Sequence, residues 1–234
     1  MNLNKYLEME IGIESDLYRF LKKDESLVIF DIGCCEGEDS IRYSSLFKNS
    51  KIYAFEPLRK NYEKALANFK NYDVESVSIS QEALSVSVGE TKFYVSSGHP
   101  DYLENTSEWD YGNKSSSLLP PARENQPGWM SFHEEENIKT NTIDNFCKEN
   151  GIEKIDFIHM DVQGAELLVL EGASNMLQNI KLIWLEVGMV EFYQKQPMKD
   201  NVIDFLQKNN FTLIKDTCPS ICGDILVVNS KLIN

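Results

Sequence analysis

The chain has 234 residues, 42% of them hydrophobic, and a formal net charge of −14. That length fits one sizeable domain, or one domain with insertions, and the composition supports a full core. The negative balance argues against nucleic acid and anionic membrane surfaces, which bind through neutralised phosphates, and no apolar run approaches the ~18 residues that span a bilayer.

Residues 5–23 read as one amphipathic helix with Leu7, Ile11, Leu17, Phe20 and Leu21 as its apolar positions. The N-terminal stretch is acidic and amphipathic, unlike a signal peptide. Five cysteines, an odd number, fit a reducing compartment, so a cytoplasmic location is expected. Cys218 and Cys222 are read as turn cysteines, and no metal is expected there. Residues 1–26 are expected to form a helical extension and 27–234 the main domain. Strands and helices then alternate: a strand at 27–31, a helix at 38–47, a strand at 51–56, a helix opened by Pro57, a strand at 74–80 and an extended segment at 89–97. From about 97 to 137 the pattern fails. This insertion is rich in Ser, Asn, Pro and Gly and holds Trp109, Tyr111 and Trp129; a loop so long is usually functional or disordered, and its aromatics favour function. A helix at 141–151 closed by Gly151, a strand at 155–161, a helix at 165–177, a strand at 180–186 and a helix at 200–209 follow. Two last strands, 211–216 and 223–229, close the chain as a hairpin. The alternation predicts an α/β protein with a mostly parallel sheet between two helical layers.

In such sheets ligands bind beyond the carboxyl ends of the strands. Asp31, Glu56, Glu82, Asp161 and Glu186 all stand at or near those ends. The first loop, "FDIGCCEGED", contains Gly33 for a tight turn and Gly37 where the helix begins, with Cys34 and Cys35 as small side chains that let a cofactor approach. A carboxylate at Glu56 can accept from both hydroxyls of a ribose. Dinucleotides and S-adenosylmethionine both carry that ribose. A pyrophosphate at the helix start would meet Asp31, Glu36, Glu38 and Asp39, at roughly 4 kcal/mol for each unit pair ~4 Å apart at an effective dielectric near 20. An acidic loop suits a cofactor bearing an ammonium and a sulfonium.

The segments "FDIGCCEG", "IYAFEP", "EALS" followed by "GE", "SSSLL", "KTNTIDNF", "IDFIHMDVQGAELLVLEGA" and "IWLE" occur in that order. Together they resemble the FkbM-like family of S-adenosylmethionine-dependent methyltransferases over about residues 28–228. The resemblance implies a three-layer, Rossmann-like class I methyltransferase fold with a seven-stranded sheet and a C-terminal antiparallel strand. It also implies O-methylation of a sugar, glycan, glycosylated molecule or natural product. It places Asp31, Gly33 and Gly37 around the methionine part of the cofactor, Glu56 on its ribose, and Glu82 and Ala83 along the adenine. Where Cys35 stands the family usually has a small residue or Asn, where Gln163 stands often an acid, and where His159 stands commonly a Lys; the acceptor-side roles stay open.

Methyl transfer to a hydroxyl is an in-line displacement that needs alignment and a proton acceptor. Asp161 is the best-placed base and borders the cofactor as well; Glu186 is its neighbour and Glu166 lies one turn into the next helix. Mg²⁺ held by these three carboxylates is an alternative that is not expected. His159 is read as a core histidine, whereas His133 and His99 in the insertion are candidate bases. Ser116 and Ser117, in the Ser-Ser-Leu element, and Trp109 and Trp129 are candidates to meet the acceptor. The partner expected is a small molecule or saccharide, not nucleic acid and not a membrane, and a homo-oligomer is compatible with the sequence. Two other readings remain: an NAD-dependent oxidoreductase on a Rossmann-like sheet, and a non-catalytic methyltransferase-like binding subunit.

Overall fold

Two short helices replace the single N-terminal helix that the periodicity suggests. A computed structural model describes residues 1–103, 109–122 and 124–233. In it, α1 (Leu3–Glu8) is capped by Asn2, whose side chain accepts from the Lys5 amide, and α2 (Glu14–Phe20) follows a bend. The bend contains Gly12, a poor helix former. It also serves two partners. Leu3 and Leu7 pack beside Cys34, Ile41 and Phe69, whereas Ile13, Leu17 and Leu21 join the core on one face of the main sheet.

The main sheet alternates with helices as expected. Strand β1 (Val28–Ile32) leads to α3 (Glu38–Leu46), β2 (Lys51–Phe55) to α4 (Arg59–Asn71), and then comes β3 (Val77–Ser80). A short β4 (Ala83–Leu84), β5 (Gly89–Gly98) and β6 (Met130–Asn141) form a second sheet in the order β4-β6-β5. Helix α5 (Ile143–Asn150), β7 (Ile155–Met160), α6 (Glu166–Glu171), β8 (Ile180–Gly188), α7 (Lys199–Lys208), β9 (Phe211–Asp216) and β10 (Cys222–Asn229) complete the chain. The order in the seven-stranded sheet is β3-β2-β1-β7-β8-β10-β9. Only β10 runs against its neighbours. Side chains alternate across β1: Phe30 and Ile32 enter the core beneath α5, α6 and α7, and Ile29 enters the core beneath α2 and α3. The strand order reverses between β1 and β7, so the crevice lies over their carboxyl ends. No helix among the described residues is long and apolar enough to cross a membrane.

Two expectations need correction. The helix expected at 165–177 ends at Gly172, where a Cβ would meet the Ser85 carbonyl oxygen at 2.0 Å. The absent side chain lets the helix end lie against Ser85, just beyond β4. The insertion is not loop up to 137: residues from Met130 onward pair antiparallel with β5, with Glu135 opposite Tyr94. The polar run Glu134–Asn137 lacks apolar alternation because both faces of the strand are exposed there, so its register comes from the partner strand alone.

Candidate functional site

The β1 loop is stitched to β2, with the Gly33 and Cys34 amides both donating to the Phe55 carbonyl at 3.0 Å. Gly33 has φ +84°, and a Cβ there would lie 2.0 Å from the Asp161 carbonyl oxygen. The backbone after β7 therefore demands this glycine before any ligand does. Gly37, at φ +82°, is crowded by the Phe69 ring of α4, 2.4 Å from its would-be Cβ, rather than by a strand. The two cysteines diverge. Cys34 is buried with Ile41, Ala54, Ala65 and Phe69, and only Cys35 lines a cleft, so the expectation that both admit a cofactor holds for one alone.

That first cleft, of about 520 Å³, runs along the ends of β1, β2, β4 and β7. Phe55, Leu84, Phe93 and Leu118 give it an apolar wall; Glu56, Asn61, Lys114 and Asp161 are among its polar groups. Glu56 is buried, and its Oε1 accepts from the Leu58 amide at 2.8 Å. Burial pushes its carboxyl up to about 8, against hydrogen bonds from Leu58, Cys35 and Asn61. Asp31 accepts from Ser40 Oγ at 2.5 Å and lies 3.6 Å from His159 Nδ1. Burial raises Asp31 to about 7, with His159 opposing. The buried His159 Nδ1 makes no hydrogen bond, and its ring packs edge-on against Tyr43. Burial lowers His159, but Asp39 and Asp31 outweigh it and leave the imidazole raised. The loop acids are individually compensated. Glu38 accepts from the Glu36 amide at 3.0 Å and pairs with Lys114, Asn113 donates to Glu36, and Asp39 takes Tyr6 and Arg42.

A second cleft, of about 740 Å³, opens beside the first. Its wall includes Glu166, Glu186, Tyr193, Gln196, Phe192 and Cys222. Gln163 lines both clefts. It sits at φ +54° in the turn after β7, and its Nε2 donates to Asp161 Oδ1 at 2.6 Å and to Glu186 Oε2 at 2.9 Å. Its Oε1 accepts from Tyr193 at 2.9 Å. Asp161 is open to solvent within the cleft yet has protein all round it. Burial raises its carboxyl, against the Gln163 hydrogen bond and His159. Glu186 is raised further, by burial and then by Asp161 and Glu166.

Other predicted residues lie elsewhere. Glu82 turns to Ser80 and Asn141 and lines neither cleft, though Ala83 beside it lines the first. Glu166 faces the second cleft but is engaged at the start of its own helix, accepting from the Val162 and Gly164 amides at 3.3 and 3.2 Å. Ser116 borders the first cleft and bonds Ser96. Ser117 is fully buried, donating to the Gln163 carbonyl at 2.7 Å, so it shapes the turn instead of facing an acceptor. Trp109 is buried between Tyr6 and Lys114, and Trp129 lines neither cleft. His133 is exposed on β6; its neighbour Phe132 packs against Tyr193, and strand alternation turns His133 to the opposite face, away from Asp161. His99 packs against Tyr111. Among the described residues no three His, Cys, Asp or Glu side chains are grouped to hold a metal ion, Asp161, Glu166 and Glu186 included.

Sequence reasoning missed Gln163, Tyr193, Lys114 and Asn113. Gln163 had a signal, its place two residues after a strand-end acid. The others come from the insertion and from the loop after β8, where no periodicity points at the site.

Comparison with known proteins identifies the family and the fold. A family model described as Methyltransferase FkbM domain matches residues 31–213. The 2-O-methyltransferase NoeI of Sinorhizobium fredii is 31% identical over 223 residues, covering 95% of this chain and 87% of NoeI. Among solved structures, an rRNA methylase from Streptococcus thermophilus superposes with a TM-score of 0.51 at 13% identity, covering 94% of this chain and 98% of that one. A fibrillarin/Nop5p complex gives 0.50 at 14% identity, covering 89% and 74%. These two likenesses are of fold.

Proposed function

The chain belongs to the FkbM methyltransferase family, and from that membership we infer that it moves a methyl group from S-adenosylmethionine to a hydroxyl of a saccharide. The observation that carries this reading is the meeting of the two clefts at Gln163, with Asp161 and Glu186 hydrogen-bonded to its one amide. The first cleft fits the cofactor. Its apolar wall offers a slot for adenine, the buried Glu56 carboxyl accepts from ribose hydroxyls, and Gly33 and Cys35 border the methionine end, with Asp31 buried behind the cleft wall and not lining it. When bound, S-adenosylmethionine supplies an electrophilic methyl on a sulfonium.

The chain's own residues do the rest. Asp161 is the base: its raised carboxyl is better matched than an ordinary aspartate to take a hydroxyl proton near neutrality. Glu186, raised by burial and by Asp161 and Glu166, accepts from Gln163 and holds it in place. The second cleft takes the acceptor, its amides and carboxyls meeting sugar hydroxyls and Phe192 and Tyr193 meeting a sugar face. No Lys, Arg or His is among its described lining residues, which favours a neutral saccharide over a phosphorylated one or nucleic acid. NoeI, named as a 2-O-methyltransferase, supports oxygen as the acceptor atom. In this reading 27–234 is the catalytic domain and 1–26 an extension to it.

Titration calorimetry with S-adenosylhomocysteine and with NAD tests the cofactor. The first should bind and the second should not, and above about pH 8, where Glu56 is ionised, Glu56→Gln should weaken S-adenosylhomocysteine by about tenfold or more, the worth of a charge-assisted hydrogen bond. Binding of NAD with indifference to S-adenosylhomocysteine would sink the reading. Transfer of radiolabelled methyl to a panel of neutral saccharides tests the acceptor.

A further inference from the structure

The first cleft is short of positive charge. Asp161 and Glu56 line it, with Asp31 buried beside its β1 edge. Carboxylates suit an ammonium, a sulfonium and a ribose, but the amino-acid end of the expected cofactor also carries a carboxylate. That group needs a cation or a fan of amide donors. Lys114 is the one cationic side chain among the described residues lining the cleft.

Lys114 comes from the insertion, in a 3₁₀ turn (Gly112–Ser115) that β5 holds down: Ser96 Oγ donates to the Gly112 carbonyl at 2.6 Å and accepts from the Ser115 amide at 3.1 Å. From there the side chain reaches across to the β1 loop. Its Nζ pairs with Glu38, lies 3.6 Å from Cys35 Sγ, and stands 4.3 Å over the Trp109 ring. Burial works against the charge, but Cys35, Glu38 and Glu36 keep the ammonium protonated well above lysine's ordinary range. Nearby cations are committed elsewhere. Arg42 bonds Asp39 and the Tyr6 carbonyl, and the exposed Lys60 pairs with Asp110.

We propose that Lys114 binds the carboxylate of the cofactor's amino-acid end, with Glu38 and Trp109 holding the ammonium over the cleft. This rests on the S-adenosylmethionine reading above. An ammonium has three donors, so Lys114 keeps Glu38 while it donates to the incoming carboxylate. Cys35 marks the contact, because its sulfur is both a wall of the cleft and a neighbour of Nζ. The specificity that follows is for a ligand ending in an amino acid, not for the nucleoside alone.

The test compares S-adenosylhomocysteine with 5′-methylthioadenosine, which has the nucleoside and sulfur but no amino-acid group, by titration calorimetry on the full chain. Lys114→Met should weaken S-adenosylhomocysteine by about tenfold to a hundredfold, as a lost charge-assisted hydrogen bond does, and leave methylthioadenosine within about twofold. Lys114→Arg should retain most of the affinity for both. Removing Lys114 strands the buried Glu38 carboxylate, so the double variant Glu38→Gln/Lys114→Met provides a second reading, with the same selective loss expected. Parallel losses for both ligands, or no loss for either, overturn the assignment while leaving the cofactor reading intact. Wild-type protein that ignores S-adenosylhomocysteine overturns both.

Discussion

Asp161 and Glu186 are linked through one side-chain amide, and their closeness sets how the pair holds protons. Gln163 Nε2 carries two N–H donors, one for each carboxyl, and burial raises both. Such a pair titrates as a unit. Turnover should rise with pH through the raised Asp161 range, since the base works only as carboxylate; a rate that falls across that range would remove it. Asp161→Asn should lower turnover by about a hundredfold to ten-thousandfold, the usual worth of a general base, while S-adenosylhomocysteine affinity stays within a few fold. Full activity in that variant would remove Asp161 from the chemistry. Asp161 was readable in the sequence because it ends an apolar strand, and Glu56 likewise. Gln163 was legible only as a position two residues after a strand-end acid, since its bridging role depends on a left-handed backbone at φ +54° that the sequence does not announce. Tyr193 reaches it from 30 residues further on, through a loop without periodicity. His133 misled because a histidine in a polar loop has no visible face until a strand partner gives it one.

At the scale of the elements, two glycines make opposite cases. Gly33 is locked by a neighbouring carbonyl, and Gly12 in the bend between α1 and α2 has nothing within 4 Å of a would-be Cβ. Gly33→Ala should therefore destabilise the fold by roughly 2–4 kcal/mol through strain and displacement of the β7 turn, whereas Gly12→Ala should be neutral or stabilising by up to about 1 kcal/mol. Urea unfolding of the two variants checks the contrast; equal effects would contradict this account of the β1–β7 junction. The strands and helices of the main sheet were legible because periodicity and caps mark them: Thr142 accepts from the Asn145 amide at 3.0 Å and Gly151 closes the same helix. The β5–β6 hairpin was only half legible, since the Glu-rich part of β6 is exposed on both faces.

Across the whole molecule, buried acids dominate the pH response. Burial holds Asp31 at about 7, Glu56 at about 8, Glu166 at about 7 and Asp224 at about 6. Unfolded, these groups titrate near 4. Between those limits the folded chain binds more protons than the unfolded one, so stability is greatest at the acidic end and falls as pH rises toward 8. The ligand-free protein should accordingly melt at a lower temperature at pH 8 than at pH 5.5, and a rising or flat melting profile would contradict the burial of these carboxyls. One further consequence concerns residues 113–117. Lys114 and Ser116 face the first cleft, Ser115 faces the second and accepts from Tyr193, and Ser117 ties the strip to Gln163. The strip is a partition wall common to two rooms. Exchanging it among relatives to redirect acceptor choice also rebuilds the other room, so in this architecture acceptor preference and cofactor affinity are inherited together as one trait.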